Sequence, residues 1–197
     1  MIRLETLEAD CFYHIFNRGV NGENVFIVED NYLFFLQKIK SYLLPVADVY
    51  AYCLMPNHFH LVLRIKSEKA LKTLSKSETL TKVERGLHSE SAIVSKQIGK
   101  LISSYTQAFN KFHNRHGNLF ESPFKRKRIE TDEHLQQVIL YVHQNSWALG
   151  LNLANYPYSS YRSILSNAKT EIIREEVIEL FNNIENFKYC HLKEVIL

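Results

Sequence analysis

Apolar positions along this chain recur with two different periods. Residues 12–17, Phe-Tyr-His-Ile-Phe-Asn, are rich in β-formers and run into Arg18-Gly19, which predicts a strand. Residues 30–44 carry Leu33, Phe34, Leu36, Ile39, Tyr42 and Leu43 at the spacing of an amphipathic helix, and Pro45 stops it. Residues 46–54 read as a second strand, Met55-Pro56-Asn57 as a turn, and residues 58–66 as an alternating third strand, paired with the second as a hairpin. Residues 67–90 are polar without a clear period and are expected to be a mobile insertion.

Helical spacing returns at residues 91–116, through Ile93, Ile98, Leu101, Ile102, Tyr105 and Phe109, closed by Gly117. Residues 119–130 contain Pro123 and read as an extended arm or short strand. Residues 132–149 predict a helix: Thr131 can cap it, Asp132 and Glu133 suit its N-terminal dipole, and Gly150 can end it. A looser helical tail covers about residues 164–197, with a helix expected at 171–182. No internal repeat or linker divides the chain, so residues 1–197 are expected to form one domain. The element order predicts an α+β ferredoxin-like sandwich with a central antiparallel sheet and helices on one side.

Composition narrows the class. With 46% hydrophobic residues in 197, the chain can bury a core, which argues against disorder. No apolar run approaches the ~20 residues of a membrane helix, and acids stand where a signal peptide would be apolar. Cys11, Cys53 and Cys190 are odd in number and far apart, which disfavours a disulfide framework or a cysteine zinc site. A soluble, cytoplasmic protein is the expectation.

Charge is unevenly placed within a net +3. Residues 96–128 hold eight Lys and Arg against Glu121 alone, whereas residues 1–95 balance to zero. A concentrated basic block suggests a polyanion partner, although a solvated helix face would look the same.

The stretch from His58 to Ile65 carries the clearest chemistry. On a strand, Phe59, Leu61, Leu63 and Ile65 form one apolar face, and His58, His60 and Arg64 lie on the other. Two histidines at i and i+2 sit about 6.6 Å apart along a strand, and their rings can converge on one metal ion. Alone, a His-x-His pair is a weak signal, since surface histidines alternate as readily. Tyr141 and Asn145 are one turn apart on the helix predicted at 132–149, so a phenol and an amide oxygen share a face. Core packing of Tyr141 beside Val138 and Val142 is the plainer alternative. His143 points elsewhere.

These pieces together resemble a family. Residues 52–63, Tyr-Cys-Leu-Met-Pro-Asn-His-Phe-His-Leu-Val-Leu, are similar to the signature of single-tyrosine HUH transposases, especially the REP-associated tyrosine transposases. Tyr13 to Gly19, Tyr105 to Asn110, Gly117 to Phe120, Tyr141 to Asn145 and Tyr156 to Tyr161 resemble further family motifs in the same order. The resemblance spans about residues 10–163. It implies His58, His60 and Asn145 as ligands of a divalent metal, Mg or Mn, and Tyr141 as the nucleophile. The implied reaction is transesterification on single-stranded or hairpin DNA, through a 5′-phosphotyrosine and a free 3′ hydroxyl. Arg18, Lys125, Arg126, Lys127 and Arg128 are the expected DNA-binding residues, and a homodimer is left open.

Two departures bear on DNA specificity more than on chemistry. The family commonly continues Asn-Pro where this chain has Asn145-Ser146, and commonly carries an arginine where Pro123 aligns. Three other readings stand beside the transposase: a replication or conjugation nickase, a hairpin-binding protein whose catalysis has lapsed, and a water-using metal phosphoesterase.

Overall fold

The computed structural model describes residues 5–76 and 90–193. Strand β1 (Phe12–Arg18) leads to helix α1 (Glu29–Lys38), which continues through a π turn (Ile39–Leu43) into β2 (Ala47–Met55). A tight turn returns the chain as β3 (His58–Ile65). Helices α2 (Glu68–Lys76) and α3 (Glu90–Phe112) precede β4 (Lys125–Ile129) and α4 (Asp132–Gln144). Short helices α5 (Tyr161–Leu165), α6 (Arg174–Leu180) and α7 (Ile184–Cys190) form the tail.

All strand pairs are antiparallel, in the order β2-β3-β1-β4. This is the ferredoxin-like sandwich expected from the element order. Tyr13, Ile15, Phe59 and Leu61 point to one face, where Phe35 of α1 and Tyr105 of α3 meet them in an aromatic core. That face follows directly from the alternation along β3.

The other face corrects one detail of the expectation. Helices do not lie on one side only: α4 packs across β2 and β3 on the histidine side. The physical reason is that this face is half apolar. Val62, Ala51 and Cys53 lie on it fully buried, and Val138 and Val142 of α4 are buried with them. A strand with both faces covered needs a second layer.

Several boundaries shift. The helix predicted at 132–149 is α-helical to Gln144, then tightens to a 3-10 turn (Asn145–Leu149) closed by Gly150 at φ 69°. Thr131 does cap α4, accepting from the His134 N–H at 3.1 Å. Within the expected insertion at 67–90, residues 68–76 form α2, anchored by fully buried Leu71. Three apolar residues in so short a helix leave no readable period; residues 77–89 lie outside those described. The tail helix expected at 171–182 is shorter, Arg174–Leu180.

Two details position the site. Gly19 ends β1 where the Asn57 carbonyl accepts its N–H at 2.8 Å, and a Cβ there would lie 2.1 Å from the Glu23 carbonyl oxygen. Only glycine lets the Glu23 carbonyl and the Val25 side chain pack this closely over the end of β1. Beyond α4, residues 158–160 pair with the edge of β2 through Leu54 N to Tyr158 O and Ser160 N to Tyr52 O. The tail thereby covers a sheet edge.

Candidate functional site

Strand register assembles the site. Phe16 of β1 lies opposite His60 of β3 and Lys125 of β4, while His14 lies opposite Val62 and Lys127. Arg18 lies opposite His58. All eight side chains share the face that α4 crosses. There Tyr141 stands edge-on to His60, ring centroids 5.5 Å apart, and to His14 at 6.0 Å. The structure therefore brings Tyr141, Asn145, His58 and His60 together.

The hydrogen bonds around His58 fix its proton. Its Nδ1 lies 2.6 Å from Asn57 Oδ1, and the Asn57 amide nitrogen donates to the Gly22 carbonyl. Asn57 thus presents an acceptor, so the His58 proton resides on Nδ1. Burial holds His58 below its ordinary value and keeps it neutral, although Asn145 opposes the shift. Its Nε2 is then a bare lone pair, 3.4 Å from Asn145 Oδ1. Asn145 cannot turn its amide toward His58, because that amide donates to the Tyr141 carbonyl at 2.8 Å. Two acceptors face each other with no proton between them.

His60 is 6% exposed. Its Nδ1 meets His14 Nε2 at 2.8 Å, and its Nε2 makes no hydrogen bond within the described residues. Burial, followed by the neighbouring His14 and His58, holds it well below its ordinary value. Burial likewise pushes His14 down to about 4, with Lys127 and His134 adding to it. Such neutral imidazoles beside an amide oxygen form a donor set that suits a divalent cation. Among the described residues no three His, Cys, Asp or Glu side chains form a metal group. A metal here would rest on two imidazoles and the amide.

Two clefts of about 280 and 380 Å³ meet at His60 and Phe16. Arg18 and Lys125 line the first, Lys127, His134 and Tyr141 the second. The basic run divides as an extended strand must. Lys125 and Lys127 face the clefts. Arg126 and Arg128 face away: Arg126 bonds Ser95 and lies over the Phe124 ring, and Arg128 pairs with Glu8 at 2.6 Å. The structure therefore separates these two arginines from the other expected DNA contacts.

Sequence reasoning missed His14, Phe16, His134 and Asn57. Parity along residues 12–17 already puts His14 and Phe16 on one face. Their position beside His60 depends on the pairing of β1 with β3, which no local pattern encodes. His143 does point elsewhere, into a sealed contact with His191 and Ser160.

The arrangement is that of a ferredoxin-like domain with a histidine strand facing a tyrosine helix. A solved REP-associated tyrosine transposase bound to a REP hairpin has the same fold, with 12% identity, a TM-score of 0.57, and coverage of 85% of this chain and 86% of that one. No protein-family model matches the sequence, and no curated protein matches it. Among the described residues, no helix is long and apolar enough to cross a membrane.

Proposed function

We propose that this protein is a tyrosine transposase of the single-tyrosine HUH type, cleaving and rejoining single-stranded or hairpin DNA. The observation that carries the reading is the pair of opposed lone pairs, His58 Nε2 and Asn145 Oδ1, one helical turn from the Tyr141 phenol. A cation resolves that opposition. His58, His60 and Asn145 would hold Mg²⁺ or Mn²⁺, which supplies charge to neutralise and orient a phosphate oxygen.

The chain's own residues do the rest. The Tyr141 oxygen attacks phosphorus, a Tyr–O–P bond forms, and the P–O3′ bond breaks. The phenol proton passes to solvent, and the departing 3′ oxygen takes up a proton. Attack by another 3′ hydroxyl reverses the step and rejoins strands without an energy source. Arg18, Lys125 and Lys127 line the clefts on either side of His60 and would hold the flanking phosphates. The likeness in fold to a hairpin-bound transposase supports this reading.

The test is Tyr141→Phe with 5′- and 3′-labelled hairpin oligonucleotides and Mn²⁺. Wild type is expected to form an adduct that keeps the label 3′ of the cut. The variant should bind the oligonucleotide equally and form none. Cleavage without an adduct in wild type would favour a water-using phosphoesterase, and full cleavage by Tyr141→Phe would remove the phenol from the reaction.

A further inference from the structure

His14 belongs to none of the roles above, yet it is the hydrogen-bond partner of the His60 ring among the described residues. It is 6% exposed, its Nε2 lies 2.8 Å from His60 Nδ1, and the two rings stack with centroids 5.0 Å apart. Phe16 stacks on the same imidazole at 5.7 Å. The ring of His60 is thus held in plane by aromatic contacts and in rotation by one hydrogen bond.

That bond contains one proton, which decides what the cleft sees. If His14 donated, His60 would carry its own hydrogen on Nε2 and present an N–H donor. If His60 donates, its Nε2 is left as a bare lone pair on a ring that lines the cleft with His58, the two ring centroids 5.0 Å apart. We infer that His14 is a positioning residue: its Nε2 accepts from His60 Nδ1–H and so fixes the tautomer in which His60 can take a cation. The inference rests on the proposed metal site, where His60 must ligate through Nε2. Asn57 does the same for His58 through its side-chain oxygen. The two histidines therefore use different partners, a strand neighbour for one and a turn residue for the other. Partners of this kind typically change metal affinity by about 10- to 100-fold.

Two substitutions separate the bond from the packing. His14→Phe keeps the ring and its stacking but offers no acceptor. His14→Gln loses the ring and carries an amide oxygen near the place of Nε2. The first readout needs no metal: ¹⁵N shifts of the imidazoles near neutral pH, with His60 assigned by His60→Gln. Wild type and His14→Gln are expected to show His60 as the Nδ1–H form, and His14→Phe as a mixture. The second readout is Mn²⁺ titration by calorimetry, with His14→Phe about 10- to 100-fold weaker and His14→Gln recovering most of the loss. An Nε2–H tautomer in wild type, unchanged affinity in His14→Phe, or equal losses in both variants would overturn the positioning role. Wild type that shows the Nδ1–H tautomer and takes up no Mn²⁺ would instead overturn the metal site and leave the tautomer assignment standing.

Discussion

His14 and His60 meet nitrogen to nitrogen at 2.8 Å with ring centroids 5.0 Å apart; His143 and His191 do the same, turned away from Tyr141. In the second pair every ring nitrogen has a protein partner. The His191 Nδ1–H donates to the Phe187 carbonyl, His143 Nδ1–H donates to His191 Nε2, and the Ser160 hydroxyl donates to His143 Nε2. The Tyr52 N–H closes the chain by donating to Ser160. Serine, histidine and histidine in a row look like a hydrolytic relay. With all three fully buried, the row reaches no substrate and instead ties α4, β2 and the tail together. In the first pair two nitrogens, His14 Nδ1 and His60 Nε2, have no hydrogen-bond partner among the described residues, and both rings line a cleft. Residue type and pair geometry are alike; the unspent nitrogens are what differ.

The strongest way to break this comparison is to exchange the losses. His60→Gln keeps the volume and removes the leftover His60 nitrogen, so DNA cleavage should fall by roughly 10² to 10³ with little change in melting temperature. His143→Ala should do the reverse. It leaves His191 Nε2 unpaired, takes the His143 acceptor from the Ser160 hydroxyl and opens a cavity, costing roughly 3 kcal/mol of stability while activity per folded molecule persists. Cleavage assays normalised to folded protein, with thermal melts, check both. Loss of cleavage in His143→Ala at full folding would give the sealed pair a role in the reaction.

Acid should find the sealed pair next. Burial pushes His191 from 6.5 down to about 4 and holds His143 well below its ordinary value. The unfolded chain then takes up protons before the folded one does. The His191 contribution to stability is full above about pH 6.5, falls as pH drops through the window, and is lost below about 4. One such shift corresponds to about 3 kcal/mol. Denaturant titrations from pH 7.5 to 4 should show this slope, and His191→Gln should flatten it. Part of the slope persists in that variant because His14 is shifted the same way. An unchanged slope would mean that His191 takes up its proton over the same pH range in the folded and unfolded states, so that burial does not shift it.

How much of this was legible in the sequence follows from which interactions are local. Alternation in residues 58–65 marks the core face of β3, and Thr131 with Asp132 and Glu133 marks the start of α4. The four residues expected to act together, His58, His60, Tyr141 and Asn145, lie within two such elements, so knowing the two elements nearly places them. His14 and Lys127 lie on two further strands, and only the register β3-β1-β4 brings them to the same face. His191 comes from a tail helix with no strong period. The sealed pair therefore left no trace in any local pattern, although His143 stands two residues from Tyr141. Position along α4 separates the two sides: Tyr141 and Asn145 share a face, and His143 does not.

The smallest expected effect sharpens the contrast from the strand beside the open pair. Lys125 and Lys127 flank the clefts, and Arg126 and Arg128 are held on the other face of the same strand. Lys125 is 3.2 Å from Glu121, with both side chains well exposed, so that pair contributes little and yields readily to a phosphate. Lys127 has no ion pair among the described residues. Each lysine that neutralises a phosphate of a single strand should contribute about 0.7 to the slope of log affinity against log salt. Lys125→Ala with Lys127→Ala should therefore lower the slope by about 1.4 and leave Mn²⁺ affinity and melting temperature unchanged. Arg126→Ala should leave the slope alone and lower the melting temperature, because its half-buried guanidinium holds β4 to α3 through Ser95. Binding titrations at four salt concentrations, with melts on the same samples, decide the matter. A slope lowered equally by Arg126→Ala would mean that DNA reaches both faces of β4, and the division between the open and held sides of that strand would fail.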